Sequence, residues 1–232
     1  PLANVVMQAF PNTFKGSKNL AGLFTTGNPV RADIVALGRN ENVAAERENE
    51  SLNILVVGGS LGAVALNNAV MDALSLMIED GLTHNISETI LPNIWHQVGK
   101  KNIDSVQQAY AEKGLEGKAK VVAFIDDMAV AYDWADIVVC RSGALTVSEL
   151  ACAGKPAIFI PYPFAVDDHQ TANAQILVKA GAAEIKQQKE LTAEWLAERW
   201  KSYAKNPEKI KHMSIAAKGA SIANATQVVT EQ

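Results

Sequence analysis

Cysteine is scarce in these 232 residues: only Cys140 and Cys152 occur, both in apolar surroundings and neither at metal-ligand spacing. Two buried free thiols in a reducing, cytosolic compartment are the expectation, in preference to a thiolate metal site. No sign of charge dominates. The formal net charge is −4, so no global basic field points to nucleic acid. No apolar run approaches the roughly 20 residues that a membrane-spanning helix needs. The first residues lack the charged-then-apolar layout of a signal peptide. There is no internal repeat, no low-complexity tract and no initiator Met; the chain begins at Pro1 and reads as a cut or processed end. What remains is ordinary globular material, 48% hydrophobic and 20% charged. It suffices for one well-packed domain, or for one domain plus a fragment of another.

Apolar runs at 4–10 and 20–26 predict two short strands, and the charged, amide-rich stretch 39–50 predicts a solvated loop. From Leu52 a repeated alternation begins. Strands are predicted at 53–57, 93–98, 120–124, 137–140, 157–160 and 183–185. Helices are predicted at 61–78, 103–113, 128–134, 145–153, 170–180 and 192–203, and from 207 onward. Asn206 is placed to cap the last, with Pro207 at its first position. Strands that are apolar throughout, separated by helices, predict an α/β fold: a doubly wound, Rossmann-like parallel sheet covered on both faces. Ligands of such sheets bind beyond the carboxyl ends of the strands.

The segments at those ends carry the chemistry. Gly58-Gly59-Ser60-Leu61-Gly62-Ala63 follows the first strand of the alternation. Its glycines allow a tight turn and the next helix offers free N–H groups to an anion, yet the spacing is not that of a dinucleotide fingerprint. A turn with no ligand is an equal reading. In Phe124-Ile125-Asp126-Asp127-Met128 the carboxylates read as helix caps rather than as an acid–base pair, and Ile125 can present its backbone to a flat ring. Arg141-Ser142-Gly143-Ala144-Leu145-Thr146-Val147-Ser148-Glu149 turns onto a helix whose N-terminus faces the crevice. A diphosphate could rest there on backbone N–H groups and the Thr146 or Ser148 hydroxyl, with Glu149 accepting from ribose hydroxyls. Complementing the helix dipole is the bland alternative for Glu149. Gln170 and Asn173 lie one helical turn apart and could hold sugar hydroxyls, while His169 reads as a capping or hydrogen-bonding residue. Arg31 follows the turn Gly27-Asn28-Pro29 and suits phosphate oxygens, or else is a solvated surface Arg.

Taken in order, GNPVR at 27–31, GGSLGA at 58–63, FIDDM at 124–128, RSGALTVSE at 141–149 and DHQTANA at 168–174 resemble the MurG family of glycosyltransferases over nearly the whole chain. Members move N-acetylglucosamine from UDP-N-acetylglucosamine onto lipid I, giving lipid II of peptidoglycan synthesis. The resemblance implies the C-terminal half of a GT-B fold. Residues 1–14 would be a remnant of the N-terminal domain, 15–224 the UDP-sugar-binding domain and 225–232 the start of a helix crossing back. It further implies that Arg31 and Ser60 contact the diphosphate and that the Ile125 backbone touches uracil. Ala144, Leu145, Thr146, Val147 and Ser148 would line the uridine-diphosphate site, Glu149 would hold the ribose, and Gln170 with Asn173 would read the sugar. Leu61 stands where the family often has Gln. No cofactor, metal or nucleic acid is implied. The family's candidate catalytic His and membrane-docking patch lie in the other domain, so this chain is expected to bind donor without catalysing. The intact protein is expected at the cytoplasmic face of the bacterial inner membrane, where its other domain meets the lipid-linked acceptor. The alternatives are a stand-alone donor-binding subunit of a split GT-B enzyme, another UDP-sugar enzyme such as a 2-epimerase, and a plain nucleotide-binding regulator. The lysines between 201 and 218 read as a solvated helical face, diluted by Glu208.

Overall fold

Strands that are apolar on both faces must be covered on both faces, and the computed structural model solves this with one parallel sheet between two helical layers. The structure describes residues 5–11, 22–39, 51–59, 63–84, 91–165 and 168–231. Strands β1 (Val6–Gln8) and β2 (Leu23–Thr25) pair in parallel as a separate two-stranded sheet. Helix α1 (Ala32–Arg39) follows. The alternation then runs β3 (Asn53–Val57), α2 (Val64–His84), β4 (Asn93–Gln97), α3 (Ile103–Glu112), β5 (Ala119–Val122) and α4 (Met128–Trp134). It continues with β6 (Ile137–Cys140), α5 (Ala144–Ala153), β7 (Ala157–Phe159), α6 (His169–Lys179) and β8 (Ala183–Ile185). Helices α7 (Ala193–Ala204), α8 (Pro207–Gly219) and α9 (Ala225–Glu231) complete the described chain. Among the described residues no helix is long and apolar enough to cross a membrane.

The six strands of the main sheet lie in the order β5-β4-β3-β6-β7-β8, all parallel. Alternate side chains serve opposite layers. Ile54 and Val56 face a core built with Leu66, Val70, Leu74 and Trp200 of α2 and α7, whereas Leu55 and Val138 face Tyr132, Leu150 and Leu177 of α4, α5 and α6. The chain leaves β3 toward β4 and β5, then returns to the other edge of β3 with β6. The connections after β3 and β6 therefore diverge and open a crevice at the carboxyl ends.

Differences from the predicted elements have local causes. Among the described residues the predicted strand 4–10 is Val6–Gln8, matching the three residues of its partner β2; residue 4 lies outside the described residues. Strand β5 ends at Val122, which frees Phe124 and Ile125 as connection. Helix α2 runs on to His84, and its Asp80 pairs with Lys201 of α7. The helix predicted from 207 onward is two helices, with a break between Gly219 and Ala225. Helix α1 was not predicted, and Arg39, assigned to a loop, closes it. It packs on α4 and α5. Gly38 permits the approach: a Cβ there would stand 2.0 Å from the Cys152 carbonyl oxygen. Two predicted caps are present. Asp127 accepts from Val130 N at 3.0 Å, and Asn206 accepts from Lys209 N ahead of Pro207.

Candidate functional site

The crevice is built first by the N-terminus of α5. Strand β6 is fully buried and delivers the chain to Ser142 and Gly143, the latter at the N-cap with extended backbone and no side chain to bond the first N–H groups. The backbone donors of Ala144, Leu145 and Thr146 thus end the helix without a side-chain cap, and the dipole adds positive potential there. Leu145 is exposed, Ala144 and Thr146 are half-buried, and Val147 is fully buried, so Val147 can offer a ligand only its backbone. Ser148 is buried; its hydroxyl donates to Ala144 O at 3.0 Å and accepts from Asn28 Nδ2 at 3.1 Å. That second bond pins the connection after β2 against α5.

Glu149 stands in the second turn of α5, beyond the reach of simple first-turn dipole complementation. Tyr132, buried in α4, donates its hydroxyl to Glu149 Oε2 at 2.9 Å. Burial raises the Glu149 carboxyl above its ordinary value; the Tyr132 bond and the charge of Arg31 oppose this, and Asp33 adds to it. The Tyr132 phenol is pushed well up by burial and by Glu149. Arg31 stands just before α1, where its carbonyl accepts from Val35 N at 3.1 Å. Its half-exposed guanidinium lies 3.6 Å from Asp33 Oδ1. The cation therefore shares this end of the crevice with Glu149.

Beyond β3, Gly59 adopts φ +80°, a left-handed conformation that favours glycine. Ser60, Leu61 and Gly62 lie outside the described residues. Beyond β5, the Ile125 side chain is buried in the core, which leaves its backbone as the part able to meet a ligand. Beyond β7, Gln170 Oε1 accepts from Tyr162 N at 2.9 Å, so Gln170 presents its amide NH2. Asn173 Nδ2 donates to Ser142 O at 3.1 Å, so Asn173 presents its oxygen. His169 opens α6 beside Asp168, whose φ of 51° is the one left-handed value among the described non-glycine residues.

Three side chains given no role in the sequence reading hold these connections. Tyr132 orients Glu149, as described. Arg141 turns away from the helix end: it donates to Ile160 O at 2.9 Å, to Pro161 O at 3.0 Å and to Gln188 Oε1 at 2.6 Å, and so fastens the connection after β7. Gln97 bonds to the connections on either side of it. The partners of all three lie 17 or more residues away, so no local pattern signals them. A cleft of about 340 Å³ lined by Trp95, Trp134, Lys118 and Lys120 lies at the amino ends of β4 and β5, the opposite end of the sheet. Among the described residues no cluster of His, Cys, Asp and Glu could hold a metal ion. The arrangement offers a carboxylate to hydroxyl groups, and a helix end with a guanidinium to an anionic centre.

Residues 53–229 match the glycosyltransferase family 28 C-terminal domain. The UDP-N-acetylglucosamine–N-acetylmuramyl-(pentapeptide) pyrophosphoryl-undecaprenol N-acetylglucosamine transferase of Shewanella frigidimarina is 44% identical over 230 residues, covering 99% of this chain and 59% of that protein. The crystal structure of Acinetobacter baumannii MurG superposes with a TM-score of 0.76 at 40% identity, covering 99% of this chain and 60% of that one. The kitacinnamycin glycosyltransferase, at 15% identity and a TM-score of 0.62, shares the fold alone. The chain thus spans about three-fifths of the length of the curated relatives it matches, and its doubly wound sheet is that of the C-terminal half of a GT-B glycosyltransferase. With the match running from β3 into α9, the chain belongs to the family of glycosyltransferase family 28 C-terminal domains and is a homologue of the MurG transferases.

Proposed function

We propose that this chain is the UDP-N-acetylglucosamine-binding domain of the inverting transferase that converts lipid I to lipid II, and that by itself it binds donor without transferring sugar. One observation carries the reading. A carboxylate held by Tyr132, a helix end without a side-chain cap and a half-exposed Arg31 converge at the switch point of the sheet. Glu149 accepts from the ribose hydroxyls. Arg31, Ser60 and the backbone at Ala144, Leu145, Thr146, Val147 and Ser148 receive the diphosphate. The Ile125 backbone meets uracil, and Gln170 and Asn173 read the sugar. In transfer, the uridine diphosphate departs as an anion and the α5 N-terminus with Arg31 stabilises it. The base that activates the acceptor hydroxyl belongs to the portion of the relatives that this chain does not span, as does the surface that meets the lipid-linked acceptor at the cytoplasmic face of the inner membrane. Residues 1–14 read as a strand of that other domain and 225–232 as the start of a helix returning to it.

Calorimetric titration with UDP-N-acetylglucosamine tests the reading, with UDP-glucose and GDP as controls. Saturable uridine-selective binding is expected, weakened at least about tenfold in Glu149→Ala by loss of charge-assisted hydrogen bonds. Equal affinity for GDP, or an unchanged Glu149→Ala, would sink it.

A further inference from the structure

Gln97 ends β4, the strand between β3 and β5, and is 3% exposed. Its side chain does not point into either apolar layer. Oε1 accepts from Gly59 N at 3.0 Å, while Nε2 donates to Gly59 O at 3.1 Å and to Ala123 O at 3.0 Å. The main chain adds two bonds at the same level, Gly58 N to Gln97 O at 3.0 Å and Val98 N to Val122 O at 3.0 Å. The carboxamide therefore acts as one more peptide unit of β4. It extends the sheet by a rung after the three strands have ended and joins the chain leaving β3 to the chain leaving β5. Gly59 stands one residue before Ser60, and Ala123 two residues before Ile125.

We infer that Gln97 is a positioning residue for the nucleotide: it sets the distance and angle between the Gly58-Gly59 turn, on the diphosphate side of the crevice, and the connection after β5 that receives the base, without touching the ligand itself. The inference rests on the donor-site reading above. Glutamine is the side chain that fits the task. It supplies one acceptor and two donors in a plane at the reach required, whereas a carboxylate would face two carbonyl oxygens and a methionine of similar length would take the partner from three half-buried backbone groups. A ligand that touches both segments depends on their being pre-set; a ligand that touches one does not.

The test compares uridine, which reaches only the base and ribose contacts, with UDP, which spans both segments. Dissociation constants for each are measured by titration on the full chain and on Gln97→Met, Gln97→Glu and Tyr203→Phe. The last removes a hydrogen bond to Glu184 of 2.7 Å and controls for general loosening of the fold. The expected result is that the preference for UDP over uridine falls about tenfold in Gln97→Met and Gln97→Glu, the loss of a little more than one hydrogen bond's worth of pre-setting, and holds in Tyr203→Phe. An unchanged preference in a folded Gln97 variant overturns the inference and leaves the donor site standing. Failure of the unmodified chain to bind UDP overturns the donor-site reading, and the inference with it. Amide hydrogen exchange on the unmodified chain reads the same tie with no substitution. The Gly59 N–H is expected to be protected before ligand is added, and exchange at the rate of an open loop overturns the inference.

Discussion

The hydroxyl of Tyr132 and Glu149 Oε2, 2.9 Å apart, join two helices that reach the crevice by different crossovers. Because Tyr132 is buried, it fixes one carboxylate oxygen and leaves the other to turn outward. Tyr132→Phe is expected to weaken UDP-N-acetylglucosamine binding by about three- to tenfold, the value of one ordinary hydrogen bond, because the lost contact orients the carboxylate rather than holding the ligand. The Tyr132 bond also lowers the Glu149 pKa against the upward pull of burial, so its removal raises that pKa further. The pH at which binding is lost on acidification should therefore move upward in Tyr132→Phe. Titrations over a pH series on both proteins check this, and superimposable profiles would count against it.

His96 is fully buried between the Tyr110 hydroxyl at 3.0 Å from Nδ1 and Asn67 Oδ1 at 3.1 Å from Nε2, and burial pushes its pKa down to about 3. The folded chain refuses a proton that the unfolded chain accepts below the ordinary value of 6.5. Stability is thus present in full above that value and is lost as pH falls from it toward the folded pKa, at up to about 1.4 kcal/mol per pH unit from this residue. Urea unfolding at stepped pH should show a shallower acid loss in His96→Gln than in the unmodified chain, even though the variant starts from lower stability at neutral pH.

Gly38→Ala should separate contact from propensity. Alanine favours a helix, but its Cβ would stand 2.0 Å from the Cys152 carbonyl oxygen, so α1 must move off α5. A net loss of about 1–3 kcal/mol is expected, along with weaker donor binding, because α1 carries Arg31 at its start. Gly81→Ala, in α2 with nothing within 4 Å of the added carbon, should instead gain about 0.5–1 kcal/mol. Denaturant midpoints of the two variants decide.

Arg141→Lys keeps the charge and loses the fork that reaches two carbonyls and Gln188 at once. The connection after β7 carries Tyr162, whose N–H bonds Gln170. Discrimination between UDP-N-acetylglucosamine and UDP is expected to fall several-fold, about the value of one or two hydrogen bonds, while affinity for UDP holds. Competition titration measures both.

What could be read ahead of the structure follows from how far each signal reaches along the chain. The main-sheet strands announce themselves by continuous apolar runs, and Asp127 and Asn206 by a cap bond to the N–H three residues on. The α5 helix end is legible for the same reason, being a glycine turn directly after a buried strand. Helix α1 is not, because Ile34, Val35 and Gly38 argue locally against a helix and only the surface of α5 explains them. Gln97 and Tyr132 read in sequence as an ordinary strand end and an ordinary helical aromatic. Their partners, 38 and 17 residues away, exist only once the sheet has formed.

The strand order has a consequence for how the chain comes to be folded. Ile54 meets Ile94 on one side of β3 and Ile137 on the other, so the second pairing closes a loop about twice as long as the first. During synthesis β3, β4 and β5 can assemble while one flank of β3 still stands open, an unpaired apolar ribbon awaiting residues not yet made. The connections after β3 and β6 come together only when β6 fills that flank, so the crevice cannot exist before β6 does. A nascent chain held before β6 would be sticky and empty at once, a natural client for a chaperone.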